Sequence, residues 1–452
     1  MRILFICPSM SDIYIQNITR ISERYWKGAR FLKRDINRHI RSIKKMCYAL
    51  GILTLTSYVP RGADVTFVDE NAEKTTDVKH LYGHSEYDLV VITAQIFQQK
   101  RVEALIDCFV KRGIYVVVGG PNPTLFPDDY SKEGVSVVVG EAEDLFPEFL
   151  ADFANHQPKP VYEKRGGDRV DLGKSRVPMF SRISRHRYNL VGVQATRGCP
   201  HRCRFCNASY ITGDLYRQKP VAQIKEEIRA VKRLWPDSAF LFHDDHMFAD
   251  RIFSFKLFEA LQDIDLGQWT TSADISIAQD DELLELIASN GRPRICFGLE
   301  TLSVRNSRTL DNRVKEAFQP RYGESIRNIQ GKGIDVIGSF VFGFPGDSGA
   351  ELDEMVTFIK DHKIHGSINR LFASPGSRLY DDLAGEYERT RGALKEKGMA
   401  RARAINTFYM EKNGTDLLDM ENLVFSTLKK HYPSQLPMLA IGNLAAFRTF
   451  FV

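Results

Sequence analysis

The sequence predicts an α/β protein: an N-terminal doubly wound parallel sheet, a second series that forms a barrel or partial barrel of six β-α steps, and a small helical C-terminal region. Three observations predict it. Apolar runs of strand length alternate with helical periodicity through most of the chain. A polar, basic segment divides that alternation into two series. The 452 residues, 43% hydrophobic and 26% charged, suit two or three cores of ordinary size.

In the first series, strands are expected at 2–7, 64–68, 88–93, 114–118 and 135–139, with helices near 38–59, 99–112 and 142–154. Alternation of this kind implies a parallel sheet covered on both faces, with ligands at the carboxyl ends of the strands. Those ends carry Pro8-Ser9-Met10, Thr93-Ala94-Gln95, Gly119-Gly120-Pro121 and Gly140-Glu141, small or polar residues that let a ligand approach the backbone. Gly119-Gly120 alone reads equally well as a βα turn. Residues 155–189, with scattered Pro and Gly and little periodicity, read as a basic linker.

The second series has strands expected at 190–196, 239–244, 268–274, 294–300, 334–343 and 367–373, with helices near 220–234, 251–262, 280–290, 320–331 and 349–363. The domain boundaries are therefore 1–154, 155–189, 190–376 and a helical 377–452. The last segment ends in PMLAIGNLAAFRTFFV, too short to span a bilayer and read as a docked helix in preference to an anchor. MRILFICPSM reads as a first strand, not a signal peptide, so the expected address is cytoplasmic.

A net charge of +5 does not argue for nucleic acid. The basic excess is local: ten Lys or Arg against two acids over 20–45, and nine against three over 159–187, both read as solvated surface ahead of an anion or membrane site. Four of the seven cysteines are scattered, and a disulfide framework is not expected. The other three stand as Cys199-x3-Cys203-x2-Cys206 directly after the first strand of the second series. Structural zinc would want a fourth ligand, for which only His201 lies near. Three thiolates instead suit a [4Fe–4S] cluster with one iron left open to another molecule.

Cys199, Cys203 and Cys206, with Phe205 before the last, resemble the CxxxCxxC signature of radical S-adenosylmethionine (radical SAM) enzymes. The resemblance implies a partial barrel and an open iron that chelates the cofactor, whose reductive cleavage gives a 5′-deoxyadenosyl radical. It also implies cofactor contacts from Phe205, from Asp244 and Asp245 after the second strand, and from Glu300 in Ile295-Cys296-Phe297-Gly298-Leu299-Glu300-Thr301. Asp244 or Asp245 alone would equally cap a helix. Where the family often has an acid after the third strand, this chain has Thr271-Ser272, which leaves Ser272 as the candidate there.

The N-terminal series resembles the cobalamin-binding domain of one branch of these enzymes. That implies a cobalamin site lined by Pro8, Ser9, Met10, Thr93, Gln95, Gly119, Gly120, Pro121, Gly140 and Glu141. The loop after the first strand has no histidine for the lower face of cobalt, and His80 reads as a loop residue. Met10 or Cys7 could approach that face, although Cys7 reads first as a small buried hydrophobe. The whole pattern is similar to methylases of hopanoid lipids, tetrapyrroles and peptide-like products. It implies methylation of an unactivated carbon of a small-molecule or lipid-like substrate through methylcobalamin, with electrons from a flavodoxin or ferredoxin; the Phe- and Leu-rich tail is itself compatible with a hydrophobic substrate or peripheral membrane contact. Cyclisation, ring contraction or rearrangement on the same cofactors is the alternative. A methylthiotransferase of transfer RNA would need Cys7, Cys47 and Cys108 together and an RNA-binding module, and a non-catalytic iron–sulfur or corrinoid carrier would not need a barrel.

Overall fold

The computed structural model describes residues 1–9, 49–73, 82, 86–164, 169–184 and 188–431. Met10, Cys47, His80, the basic stretch 20–45 and the apolar tail lie outside these residues.

Six strands form the first sheet: β1 (Arg2–Cys7), β2 (Asp64–Asp69), β3 (Leu89–Thr93), β4 (Tyr115–Gly119), β5 (Val135–Val139) and β6 (Val161–Glu163). They pair in parallel in the order β2-β1-β3-β4-β5-β6. Strand alternation sends Leu4, Ile6, Val90 and Val116 to one face, under Leu105 and Phe109 of the helix Gln99–Val110. Ile3, Phe5, Val91 and Val117 go to the other, under Phe146 and Phe149 of the helix Leu145–Ala154. Both faces are covered, as a parallel sheet requires. The order reverses at β1, which opens a crevice beyond the carboxyl ends of the strands.

β6 lies inside the segment read as linker. Three residues are too few to show a period, but Tyr162 is fully buried and meets the Phe149 ring edge-on at 5.5 Å, which anchors the strand.

The strands β7 (Val191–Val193), β10 (Phe240–Phe242), β11 (Gln268–Ala273), β12 (Arg292–Glu300), β13 (Asp335–Phe342) and β14 (His365–Arg370) form a second all-parallel sheet, while β8 (Thr196–Arg197) and β9 (Arg217–Gln218) form a separate antiparallel pair. The order of the second sheet is β14-β13-β12-β11-β10-β7, with both edges unpaired among the described residues. One set of alternate residues, Trp269, Ile295, Phe297, Val336 and Phe340 among them, is buried beneath the helices Val221–Leu234, Arg251–Leu261, Asp281–Ser289, Tyr322–Gly331 and Gly349–Asp361. The other set, including Thr270, Ser272, Cys296, Gly298, Ser339 and Asn369, is half-buried and polar or small. Helices therefore take one face of the sheet and leave the second as a concave, partly open surface.

Three further helices, Arg378–Arg391, Gly398–Lys412 and Leu417–His431, follow and are the last among the described residues. Leu379, Leu383, Ile405 and Phe408 of the first two join Val341, Phe344 and Leu371 in a core at the carboxyl end of β13 and β14. Among the described residues no helix is long and apolar enough to cross a membrane.

Candidate active site

The cysteine loop leaves β8 through Gly198, whose φ is +92°. A Cβ there would stand 2.3 Å from the Leu215 carbonyl oxygen, so only glycine lets the two backbones approach this closely. Backbone bonds then pin the loop to its neighbours. Arg204 N–H donates to the Leu310 carbonyl at 3.0 Å, and Leu379 N–H donates to the Arg204 carbonyl at 2.8 Å.

Cys199, Cys203 and Cys206 are half-buried and unbonded to other cysteines. Burial pushes Cys199 up to about 12, and the neighbouring Cys203 and Cys206 add to the rise. Cys203 and Cys206 are raised by burial too. Asn312 Nδ2 donates to Cys203 Sγ at 3.1 Å, and Ala208 N–H to Cys206 Sγ at 3.5 Å. Three crowded thiols with N–H donors aimed at sulfur form a donor set that a cationic cluster would hold deprotonated, so the residues fit a [4Fe–4S] group. His201 does not complete a zinc shell with them, because its Nε2 lies 2.7 Å from Asp274 Oδ2.

The carboxylates after β10 serve the loop. Asp244 is buried and takes bonds from Ala195 N–H at 3.1 Å, Thr196 Oγ1 at 2.6 Å and Thr196 N–H. Burial raises it to about 7. Asp245 Oδ2 accepts from Gly198 N–H at 3.1 Å and Thr212 Oγ1 at 2.7 Å. Each of the two carboxylates expected to contact S-adenosylmethionine is hydrogen-bonded to the backbone or hydroxyls of the loop and its approach. Phe205 packs at the edge of the C-terminal helical core and lines a second cavity of ≈ 190 Å³ with Leu310, Phe344 and Tyr409.

Glu300 ends β12 at a register shift, with φ +60° in the left-handed region. Lys315 Nζ bonds its carboxylate and also donates to the Gly298 carbonyl at 2.7 Å. A Cβ on Gly298 would lie 2.4 Å from Glu300 Oε1 and 2.6 Å from Lys315 Nζ, so the glycine makes room for this ion pair. Burial would lower the Lys315 ammonium, but Glu300 and then Cys203 outweigh it and hold it charged. Ser272 lies on the concave face of β11.

The first sheet faces this loop across a cavity of ≈ 350 Å³. Thr93, Gln95, Gly119, Gly120, Pro121, Gly140 and Glu141 line one side, and Gln194, Arg197, Thr212, Lys219 and His243 line the other. Gly120 has φ +105°, and a Cβ on it would meet Thr93 Oγ1 at 2.9 Å and the Ala94 carbonyl at 3.0 Å. That glycine-lined end of β3 and β4 is a cradle suited to the flat, bulky face of a cobalamin. Pro8 and Ser9 are not on the wall. The Pro8 carbonyl accepts from Gln98 Nε2 at 2.6 Å and Asn71 Nδ2 at 3.1 Å, and Ser9 N–H donates to Glu70 at 2.8 Å. Cys7 is buried, and burial followed by Asp69 raises its thiol well above the ordinary value.

Glu141 is on the cavity wall but already engaged. It bonds Arg197 at 2.8 Å, Arg217 at 2.8 Å and Val170 N–H at 2.9 Å, while Glu143 takes the second arm of Arg197 at 2.7 Å. Arg197 immediately precedes Gly198, so the thiol loop hangs from a buried ion network that joins the segment after β5 to the β8–β9 pair.

Sequence reading missed Asn312 and Lys315, which reach Cys203 and Glu300 from the N-cap and first turn of the helix Arg313–Phe318, and it missed Asp274. The third barrel strand ends at Ala273, so the acid it was said to lack stands one residue beyond it. Burial would raise Asp274, but hydrogen bonds with His201 and His246 outweigh it and hold the carboxyl well below its usual range.

A model of the radical SAM superfamily matches residues 193–359, and one of the B12 binding domain matches residues 39–150. The bacteriochlorophyllide d C-12(1)-methyltransferase of Chlorobaculum tepidum is 26% identical over 340 residues, 74% of this chain and 73% of that protein. The hopanoid C-2 methylase of Rhodopseudomonas palustris is 25% identical over 344 residues, 74% of this chain and 64% of the methylase. Among solved structures, the cobalamin-dependent S-adenosylmethionine radical enzyme OxsB with aqua-cobalamin and S-adenosylmethionine bound superposes with a TM-score of 0.65 at 13% identity, over 97% of this chain and 71% of that one.

Proposed function

The chain belongs to the cobalamin-binding radical S-adenosylmethionine enzymes, and from that premise we propose that it is a C-methyltransferase acting on an unactivated carbon of a small-molecule or lipid-like substrate. The observation that carries the reading is the shared wall: one cavity is lined by the glycine cradle of the first sheet and by Arg197 and Thr212 of the thiol loop's own supports. A cobalamin cradle that shares its cavity with the supports of the thiol loop suits a reaction in which a carbon activated at one cofactor is alkylated at the other.

Cys199, Cys203 and Cys206 hold the [4Fe–4S] cluster. Glu300, paired with Lys315, and Ser272 on the concave face serve S-adenosylmethionine, for which a fixed carboxylate suits the ammonium group. Asp244, Asp245 and Phe205 act on that cofactor indirectly, by setting the backbone of the loop and its packing. Thr93, Gln95, Gly119, Gly120, Pro121 and Gly140 line the cobalamin site. When bound, the cluster with S-adenosylmethionine supplies carbon-radical chemistry and cobalamin supplies the methyl group. The protein's part is to orient the substrate on the half-buried face of β11 to β13 and to keep water from it. Electrons come from a flavodoxin or ferredoxin, the protein works in the cytoplasm, and its apolar C-terminal tail favours a lipid-like substrate met at a membrane surface.

Anaerobic reconstitution with iron, sulfide and cobalamin tests the reading. About four irons and one cobalt per chain are expected, with reductant-dependent release of 5′-deoxyadenosine. About eight irons without cobalt would overturn it in favour of a two-cluster enzyme.

A further inference from the structure

Beside the thiol loop, three side chains from three loops converge on one point. His201 comes from the loop between Cys199 and Cys203, His246 follows β10, and Asp274 follows β11. His201 Nε2 and His246 Nε2 each lie 2.7 Å from the same oxygen, Asp274 Oδ2. All three ligating atoms are within 4.8 Å of one another. The imidazole rings stack at 25° with centroids 5.3 Å apart, so they present the same nitrogen to the same place.

The second carboxylate oxygen is fixed separately. Asp274 Oδ1 accepts from Ser276 N–H at 2.7 Å and from the Ser276 hydroxyl. An outer hydrogen bond of this kind orients a carboxylate ligand and leaves its other oxygen to the ion. The side chains of His246 and Asp274 are 5% and 9% exposed and that of His201 is 20%, so the site is closed on two sides and open on the third.

We propose that His201, His246 and Asp274 form a mononuclear site for a divalent transition ion of the zinc class. Two imidazoles and a carboxylate are a ligand set for zinc or iron(II), chemically distinct from the all-thiolate set a few residues away. Three protein ligands leave a position for water or an oxygen of the substrate, and the site lies at the carboxyl ends of the barrel strands, where substrates bind. An ion there also ties the middle of the thiol loop to the ends of β10 and β11, bracing the segment between Cys199 and Cys203. The inference depends neither on the identity of the substrate nor on cobalamin.

The test uses the full chain with its iron–sulfur cluster reconstituted, equilibrated with Zn²⁺ and desalted. Elemental analysis is expected to find about one zinc per chain in addition to the cluster iron. Zinc X-ray absorption is expected to show nitrogen and oxygen neighbours with imidazole scattering and no sulfur. His246→Gln and Asp274→Asn should each weaken zinc retention by about tenfold or more while iron content holds. No retained zinc, sulfur around the zinc, or zinc undiminished in both variants overturns the site. Should both variants also lose iron, the neighbours of zinc in the unaltered protein decide: imidazole uphold it, sulfur overturns it.

Discussion

The two parallel sheets present their carboxyl ends to one region of the molecule, yet they furnish those ends differently. The first sheet uses absence. Gly119, Gly120 and Gly140 leave backbone exposed on the cavity wall, and at Gly120 a single added carbon would collide with Thr93 and Ala94. The second sheet uses charge, with Asp244, Asp245, Asp274 and Glu300 at the ends of β10, β11 and β12, each bonded to a specific partner. Shape and close backbone approach suit a large, flat cofactor such as cobalamin, whereas placed charges suit a cluster and a small amino-acid-bearing cofactor. Damage should follow the same division: side-chain removal harms the barrel end, and side-chain addition harms the first sheet.

The largest expected effect is on the charged side of that division. Cys203→Ala removes one of the three proposed cluster ligands, and iron content together with 5′-deoxyadenosine formation should fall to background, a loss of about a thousandfold or more in activity. Gly120→Val then tests the first sheet. Its Cβ would stand 2.9 Å from Thr93 Oγ1 in a backbone with φ +105°, so cobalamin retention should drop by about tenfold or more with cluster iron unchanged. Equal loss of both cofactors in that variant would erase the proposed difference between the sheets.

Glu300→Gln leaves the Lys315 ammonium buried without its counter-charge. Affinity for S-adenosylmethionine, read by equilibrium dialysis, should weaken by about tenfold, with cobalamin binding unaffected. The smallest effect concerns Asp244. Its folded pKa is raised to about 7, so the folded state keeps a proton that the unfolded chain releases near pH 4. The group's contribution is therefore most favourable at low pH and is lost as pH rises to about 7. Between pH 5 and 8 the unaltered protein should lose about 2 kcal/mol more stability than Asp244→Asn, measured as denaturant unfolding of the two proteins.

Much of this arrangement was legible in the sequence. The strand expected at 334–343 is β13 at Asp335–Phe342, and the helix expected at 220–234 is Val221–Leu234. Buried parallel strands and one-sided helices write themselves as apolar runs and 3.6-residue periods, and both are local signals. Seven of the ten residues expected around cobalamin do line the cavity, because strand ends can be located from strands. What the sequence concealed is convergence. Asn312 and Lys315 meet Cys203 and Glu300 only after α/β winding has brought these segments together, and no period marks them. Asp274 was missed because the acid after this strand was sought at Thr271-Ser272, two residues before it. Glu141 looked available as a polar group at a strand end, while its partners, Arg197 and Arg217, lie more than fifty residues away.

That last network limits how the molecule could be re-engineered. Its two carboxylates belong to the segment after β5 and its two guanidinium groups to the β8–β9 pair, with side chains 8% to 15% exposed. Grafting a different N-terminal half onto this barrel without Glu141 and Glu143 would strand two buried cations directly upstream of the cluster loop. Removing one partner of a buried pair costs about 3–5 kcal/mol. Modular exchange of the two halves therefore has a minimal transplantable unit, and it runs through the four charges at the seam, not along the boundary between the sheets.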